Sequence, residues 1–250
     1  MIRVGTSGWQ YADWRERFYP RDVPQREWLA FFARRFATTE ANNSFYRLPA
    51  EGVFARWRGV TPPGFVMAVK ASRFLTHMRR LREPEEPVQR LWSRATELGD
   101  RLGPILFQLP PRFPADAGRL SALLDTLPAP MRPAFEFRDP SWHTASIFDL
   151  LSRRDAPVVW ADRPGARIRL PLTASWSYLR FHQGRTTAPG YTREKLRRWA
   201  ERIAALPVED TYVYFNNDPG GAAVRDARTL IELLRERGAS VAPTPSSAPA

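Results

Sequence analysis

The chain has 250 residues, 43% of them hydrophobic and 12% aromatic, which is enough for one barrel-sized domain and excludes a disordered polypeptide. It contains no cysteine, so disulfides, thiolate metal sites and a cysteine nucleophile are excluded. The formal net charge of +12 comes from 36 arginines and only two lysines against 26 acidic residues, which is compatible either with a generic basic surface or with an anionic partner.

Strands and helices are predicted to alternate along the chain. Segments rich in β-branched or aromatic residues predict eight strands, at residues 2–7, 38–43, 65–71, 104–109, 134–137, 157–161, 176–182 and 212–216. Helical periodicity lies between them, at residues 25–36, 87–102, 116–127, 144–153, 192–206 and 222–237. Thr144 and Thr192 stand at N-cap positions, and Gly238 stands at a C-cap position.

Eight strands that alternate with helices favour a closed barrel over an open sheet. The sequence therefore predicts an α/β fold, a single (β/α)8 TIM-type barrel over residues 1–238. Residues 162–174 have no helical period, which predicts an irregular crossover in place of a helix after the sixth strand. The low-complexity residues 239–250 are predicted to be a disordered tail.

Side-chain alternation predicts which residues face the barrel interior. If the bulky apolar residues face the helices, the opposite set points inward, and this set is small or apolar early in most strands but polar near their carboxyl ends. Active sites of such barrels lie at that end. The inward polar residues there are Ser7, Glu40, Asn42, Lys70, Gln108, Glu136, Arg138, Arg180, His182 and Asn216.

Buried charges must pair with one another, with water or with a ligand. One interpretation is a network that satisfies itself, in which Glu136 pairs with Arg138 and Glu40 pairs with Lys70. The other is a site that binds one anion, with Glu40, Lys70 and Glu136 as catalytic residues. Lys70 supports the second interpretation because, in a chain that uses arginine almost everywhere, its compact and titratable charge suits acid/base chemistry or phosphate contact. Lys195, by contrast, is predicted to lie on an exposed helix.

The remaining polar and aromatic residues of this face leave several alternatives open. The three histidines, His77, His143 and His182, all fall on it, but their spacing does not predict a zinc site. No cofactor is predicted, although Glu136 and Asp162 could hold Mg²⁺ or Mn²⁺. The loop aromatics, Trp9 and Trp142 among them, either cover the barrel or stack on a base or sugar ring. The glycines after Asp218 could offer backbone N–H groups to a phosphate.

Seven ordered motifs resemble the YecE-like family, a family of unknown function. They are VGTSGW at 4–9, FYP at 18–20, TTEANNSFYRLP at 38–49, VKAS with TH at 69–77, LGPILFQLPPRF at 102–113, EFRDPSW at 136–142 and VYFNNDPGGAAV at 213–224. The resemblance implies a TIM-like barrel and no established activity. It marks as signature positions Glu40, Asn42, Lys70, Gln108, Glu136, Arg138, Asn216, Asn217 and Asp218. The chain departs from the family pattern at Asp139, where the family commonly has histidine, and after His182.

Two functions are compatible with these patterns. The first is an enzyme that uses acid/base chemistry on a small anionic, phosphate- or nucleotide-like substrate, with Glu136 or Glu40 as the base. The second is a nucleic-acid-binding or nuclease-like barrel. The partner is therefore a small anion or a nucleic acid. No signal peptide or membrane-length apolar run is present, so we expect a cytoplasmic protein without a membrane partner. The sequence does not indicate an oligomeric state.

Overall fold

A computed structural model describes residues 1–163, 170–182 and 190–245. Its sheet consists of eight parallel strands in the order β5-β4-β3-β2-β1-β8-β7-β6. The strands are β1 Ile2–Ser7, β2 Thr38–Ala41, β3 Val66–Lys70, β4 Leu102–Gln108, β5 Pro133–Glu136, β6 Trp160–Asp162, β7 Trp176–Phe181 and β8 Asp210–Phe215.

Residues just before β6 close the barrel. The Phe135 N–H donates to the Pro157 carbonyl at 3.0 Å, and the Val159 N–H donates to the Phe135 carbonyl at 2.8 Å. The ring is therefore continuous from β5 to β6, which confirms the predicted TIM-type barrel. It also explains why the sixth strand begins later than predicted, because residues 157–159 pair with β5 instead of β7.

Helices lie between the strands. They are α1 Trp28–Ala33, α2 Asn43–Tyr46, α3 Val53–Val60, α4 Glu85–Ala95, α5 Ala117–Thr126, α6 Ala145–Ser152, α7 Arg193–Ala204 and α8 Ala222–Glu236. The short helices are 3-10 at Ala12–Trp14, Gln25–Glu27, Thr96–Arg101, Pro140–Trp142 and Pro219–Gly221, and a π-helix at Phe74–Met78. No helix in the described ranges is long and apolar enough to cross a membrane.

Among the α-helices, α2 and α3 were not predicted, and the predicted crossover is only partly described. Residues 163 and 170–175 contain no helix, as the sequence predicts for the segment after β6, while 164–169 lie outside the described residues. Thr192 accepts a hydrogen bond from the Lys195 N–H and caps α7, whereas the Thr144 side chain makes no cap bond at α6. Gly238 has φ 70°, as its C-cap position requires.

The predicted boundary at residue 238 does not mark the end of the barrel. Val241 bridges to Ile2, the Ile2 N–H donates to the Ser240 carbonyl and the Ala242 N–H donates to the Ile2 carbonyl. The first residues of the predicted tail thus pair with the start of β1. The backbone groups of Ile2 need these partners because β2 pairs with β1 only at Thr6 and Ser7. Residues 246–250 of the predicted tail lie outside the described residues.

The core has two parts, and they agree with the predicted alternation. The barrel interior is filled by one cluster, made of Ala68, Leu106, Ala134, Val159, Trp176, Tyr178, Tyr212 and Tyr214. Phe135, Leu179 and Phe181 belong to the larger cluster that lies between the barrel and its helices. Arg3 and Arg132 bind Asp210 near the amino ends of the strands, so the polar inward residues at the carboxyl ends lie above an apolar and aromatic interior.

Candidate functional site

A Glu–Arg–Glu bridge spans the barrel interior at the carboxyl ends of the strands. Arg180 on β7 donates from one terminal nitrogen to Glu40 on β2 at 2.8 Å and from the other to Glu136 on β5 at 2.6 Å. The Tyr178 hydroxyl also donates to Glu40 at 2.6 Å. All of these side chains are buried. The pairing of Glu40 with Lys70, which the interpretation as a self-satisfied network required, does not occur among the described residues, because Arg180 is long enough to reach both carboxylates.

Further donors hold Glu136 from its own side of the barrel. The Gln108 amide nitrogen on β4 lies 2.9 Å from Glu136, and Arg138 donates from Nε at 3.1 Å, which is the pair that the interpretation as a self-satisfied network contained. The cations and hydrogen bonds around Glu40 and Glu136 lower the pKa of each below its ordinary value, although burial by itself would raise it. Both carboxylates are thus ionised and are weak bases, which does not support their predicted role as the general base.

A cavity of about 360 Å³ opens above this bridge. Arg180 of the bridge and Arg138, which is bonded to the bridge through Glu136, both line the cavity. The two terminal nitrogens of Arg138 have no bonded partner among the described residues. Its lining includes the predicted site residues Trp9, Asn42, Lys70, Gln108, Arg138, Arg180, Asn216 and Asp218. Residues that we had not assigned to the site complete the wall: Gly8, Gln10 and Tyr11 from the segment after β1, and Asn43 and Tyr46 from α2.

Lys70 ends β3 and contributes an unpaired cation to the cavity. Its Nζ lies 4.0 Å from the centre of the Phe45 ring and forms no ion pair with the described carboxylates. The Ser44 hydroxyl donates to the Lys70 carbonyl at 2.7 Å, which fixes the strand end against α2. Burial and the neighbouring Arg180 lower the pKa of the Lys70 ammonium to about 8.

Asp218, directly before the last 3-10 helix, is a carboxyl group with the opposite shift. Burial raises its pKa to about 7, and the nearby Asp13 adds to the shift. The Tyr11 hydroxyl contacts this carboxyl group and also lies 2.5 Å from the Ser7 carbonyl oxygen. The contact with the Tyr11 hydroxyl by itself lowers the pKa of Asp218, but the effect of burial is larger, so the Asp218 carboxyl group can exchange a proton near neutral pH.

His182 follows β7 as a neutral imidazole. The Asn216 amide nitrogen lies 2.9 Å from Nδ1, and because an amide nitrogen can only donate, the ring proton belongs on Nε2. Burial and Arg180 lower the His182 pKa to about 4, so the ring is uncharged at neutral pH.

Five buried polar atoms at or just beyond the carboxyl ends of the strands have no hydrogen-bond partner among the described residues, and three of them belong to residues that line the cavity, Asn42, Arg180 and Asp218. Buried polar atoms are bonded in the great majority of native structures, so such a cluster needs an explanation. A ligand with both donors and acceptors would supply the missing bonds. The atoms are Ser7 Oγ, Asn42 Oδ1, Arg180 Nε, His182 Nε2 and Asp218 Oδ1.

A comparison of the sequence with family models identifies the protein family. Residues 3–249 match the model described as "Protein of unknown function DUF72". The chain belongs to the DUF72 family. Its curated relatives include the UPF0759 protein YunF of Bacillus subtilis, 24% identical over 97% of this chain and 98% of the relative. The UPF0759 protein YecE of Escherichia coli K12 is 29% identical over 57% of this chain and 50% of the relative. The YecE-like resemblance is thereby confirmed.

Solved structures of other DUF72 proteins have the same fold. The DUF72 family protein of Thermotoga maritima is 28% identical, with a TM-score of 0.82 over 94% of this chain and 99% of its own. A DUF72 family protein of Enterococcus faecalis is 18% identical, with a TM-score of 0.77 over 94% of this chain and 98% of its own, and shows likeness of fold alone. These proteins carry no activity in their names, so the function of this DUF72 chain must be argued from its site.

Four predicted substrate-binding residues of the DUF72 chain do not line the cavity, and they are Ser7, His182, Trp142 and Asn217. Trp142 is fully buried, stacks on Phe137 at 4.9 Å between ring centres, and donates from its indole nitrogen to the Phe113 carbonyl at 2.6 Å. Asn217 turns toward α8, where its amide donates to Asp226 at 2.6 Å. The side chains of Trp142 and Asn217 therefore serve packing, because each finds its partner beneath the loops and not at the cavity.

The glycines after Asp218 and the suggested metal ligands are also engaged elsewhere. The Gly220 N–H donates to the Asp13 carboxylate at 2.8 Å, and the Gly221 N–H donates to the Asp218 carbonyl at 3.1 Å, so these two groups do not await a phosphate. Asp162 forms an ion pair at 2.9 Å with Lys195, which is less exposed than predicted. No cluster of metal-ligating side chains occurs within the described ranges of this DUF72 chain.

Proposed function

We propose that the chain is an enzyme that performs acid/base chemistry on a small anionic substrate in this cavity. The observation that carries the proposal is that three residues of the cavity wall, Asn42, Arg180 and Asp218, each have a buried polar atom without a hydrogen-bond partner among the described residues. A polar atom that is buried without a partner costs stability, and a ligand that bonds to these atoms would remove that cost.

The residues of the cavity have two roles: Arg138 binds the anionic group of the substrate, and Asp218 and Lys70 exchange protons. Arg138 is held through its Nε by Glu136, so its two terminal nitrogens are oriented to bind a carboxylate or phosphate group. Asp218 and Lys70 line the same cavity, and their pKa values of about 7 and about 8 allow each to exchange a proton near neutral pH. Glu40 and Glu136 then act as positioning residues that hold Arg180 and Arg138.

Ligand binding is tested by a thermal-shift screen of small carboxylates and phosphates against wild type and two variants. A ligand at about 100 times its Kd should stabilise wild type by about 2.7 kcal/mol. We expect Lys70→Met to lose this stabilisation, while Arg197→Met, which removes a cation from an exposed helix pair with Glu194, should keep it. If the ligand stabilised both variants equally, it would not bind in the cavity that Lys70 lines, and the proposal would be contradicted.

Catalysis is tested on the ligands found by the screen. Each is incubated with the protein in deuterated water, and NMR follows its chemical change and its uptake of deuterium at carbon. Asp218→Asn keeps the size of the side chain and removes its acid function, so we expect it to bind the ligand but to turn it over at least about a hundredfold more slowly. Binding with no reaction in wild type would reduce the protein to a binding protein.

A further inference from the structure

We propose that Lys70 is a nucleophile that forms a Schiff base with the carbonyl group of a small anionic substrate, such as a 2-oxo acid. The inference rests on the proposed function, because it assumes that the cavity binds an anion. It goes beyond that function by naming the substrate class, carbonyl compounds that carry a carboxylate, and the covalent bond by which they react.

The position of Lys70 is the first argument. Its side chain points inward from the end of β3, is buried, and reaches the cavity without an ion pair among the described residues. One side of Nζ is covered by the Phe45 ring, and the cavity lies open to it elsewhere. A lysine that serves only stability would be expected to point its charge at Glu40 or Glu136, but Arg180 already binds both.

The second argument is the protonation state of the amine, because only the neutral form is a nucleophile. Lysine nucleophiles are activated by desolvation or by a neighbouring cation, and Lys70 has both. With a pKa of about 8, about a tenth of Lys70 is neutral at pH 7, compared with less than about a thousandth of an exposed lysine. Four charged groups shift the pKa of Lys70 electrostatically: Glu40 on β2, Glu136 on β5, Arg138 just after β5 and Arg180 on β7. Lys70 in turn lowers the pKa of His77 in the π-helix.

The other groups that the reaction requires line the same cavity as Lys70. Arg138 can hold the carboxylate of the substrate. The Lys70 amine attacks the carbonyl carbon, a C–N bond forms, and one amine proton passes to the carbonyl oxygen. A protonated Asp218 gives a second proton to that oxygen, which leaves as water. The products are a protonated imine on Lys70, the Asp218 carboxylate and one water molecule, so atoms and charge balance.

Composition gives a third argument, independent of geometry. The chain has 36 arginines and two lysines, so a cation needed only for its charge would be expected to be arginine. A guanidinium group is protonated at all working pH values and cannot form a Schiff base. The lysine at position 70 provides an amine that can lose its proton and form a Schiff base, which arginine cannot do.

The test is reductive trapping. Wild type is incubated with glyoxylate, an aldehyde that carries a carboxylate, and with sodium cyanoborohydride, which reduces an imine to a stable secondary amine. Intact mass and peptide mapping then locate the label. We expect one adduct, on Lys70, formed at least about tenfold faster than adducts on Lys195 or on the amino terminus. Glycolate, which has the same carboxylate but no carbonyl group, should leave no adduct and should slow the labelling by glyoxylate.

Variants separate the nucleophile from the binding site. Lys195→Arg should keep the fast adduct, and Lys70→Arg should lose it. Arg138→Met should slow labelling by glyoxylate but not labelling by uncharged acetaldehyde. Wild type that is labelled only at Lys195 and the amino terminus would overturn the inference, whatever the variants do. If anions then still stabilise wild type and not Lys70→Met, the proposed function survives without the covalent step.

Discussion

The Lys70 ammonium is buried next to Arg180 and Arg138 without an ion pair in the described part of the chain, so its charged form is disfavoured by folding. Its folded pKa of about 8 is below the ordinary value of 10.5, so the unfolded chain binds more protons between these values. The unfolding free energy of wild type should therefore rise as the pH increases from about 8 to about 10.5.

Lys70→Met should remove this penalty. Because the stem is kept and the charge is lost, we expect the variant to gain about 1–3 kcal/mol of unfolding free energy at pH 7, and to lose the rise above pH 8. Urea denaturation at pH 7 and at pH 9.5 measures both effects. Lys195→Met is the control, since it breaks an ion pair with the buried Asp162 and should give no gain. A Lys70→Met variant that is destabilised at pH 7 would contradict an unpaired, penalised ammonium.

Asp218 should show a pH dependence of the same origin. Its folded pKa of about 7 lies above the ordinary value of 3.8, so the folded chain binds the extra proton in this window. The unfolding free energy of wild type should fall as the pH rises from about 4 to about 7, and Asp218→Asn should remove this fall. The variant should then match wild type near pH 4 and exceed it by about 1–4 kcal/mol at pH 8, as measured by denaturation at both values.

Asp139 is the matched control for that experiment. Hydrogen bonds from Ser141 lower the pKa of its carboxyl group, so its contribution to stability is present above its ordinary pKa and is lost as the pH falls. Asp139→Asn should therefore change the pH dependence in the opposite direction to Asp218→Asn. The same sign for both variants would indicate a general effect of removing negative charge from a basic protein.

The sequence predicted which residues meet, but not how they pair. Side-chain alternation brought Glu40, Lys70, Glu136 and Arg180 to one face, because the period of two applies to each strand separately. Partner choice depends on reach across the closed ring, and only the structure shows that Arg180 spans from β2 to β5. Trp142 shows the same limit, because a loop aromatic can either face the cavity or pack beneath it.

At the level of the elements, the contact between β1 and β2 depends on a glycine. A Cβ placed on Gly5 would lie 2.0 Å from the Thr38 carbonyl oxygen, which is backbone and cannot turn away. We expect Gly5→Ala to lower the unfolding free energy by about 3 kcal/mol, since the two strands would have to separate. Chemical denaturation of the variant measures the loss.

Gly59 supplies the contrasting substitution. It lies on the exposed side of α3, and a Cβ there would meet nothing within 4 Å. Alanine is the better helix former, so Gly59→Ala should raise the unfolding free energy by about 0.5–1 kcal/mol in the same assay. If both alanine variants shifted stability alike, close approach between the strands would not be what requires glycine at position 5.

The eight strands were predictable because most of them contain a run of β-branched or aromatic residues and several are bounded by proline or glycine, although the boundaries of the sixth strand were not. The helix α3 was not, because its sequence, VFARWRGV, contains a glycine and has only one buried residue, Phe54. The pairing of residues 239–242 with β1 was missed for a different reason, since composition reports only average properties and a single bridge to Ile2 leaves no pattern in it.

For the molecule as a whole, the net charge of +12 raises the question of nucleic-acid binding. Part of the positive surface is neutralised locally, as in the pairs of Arg90 with Glu86 and of Arg197 with Glu194. We expect weak binding of duplex DNA at low salt, with loss of about 0.9 log units of affinity per log unit of salt for each phosphate contacted. Filter binding at 50 mM and 200 mM salt measures this slope.

The Lys70→Met variant decides what such binding means. Nonspecific attraction to the surface should be unchanged in the variant, because Lys70 is buried in the cavity. DNA binding that persists at 200 mM salt in wild type and is lost in Lys70→Met would instead indicate that the cavity binds nucleic acid.

The position of β1 in the ring has a consequence for synthesis on the ribosome. β1 emerges first, but it lies between β2 and β8, and β8 begins only at Asp210. During translation of the intervening residues, one edge of β1 has exposed backbone groups that could pair with another nascent chain. Contacts between such distant segments also form slowly. We therefore expect the aggregation-prone interval to last from the emergence of β1 until β8 has been synthesised and has paired with it, which makes the nascent chain a natural client for ribosome-associated chaperones.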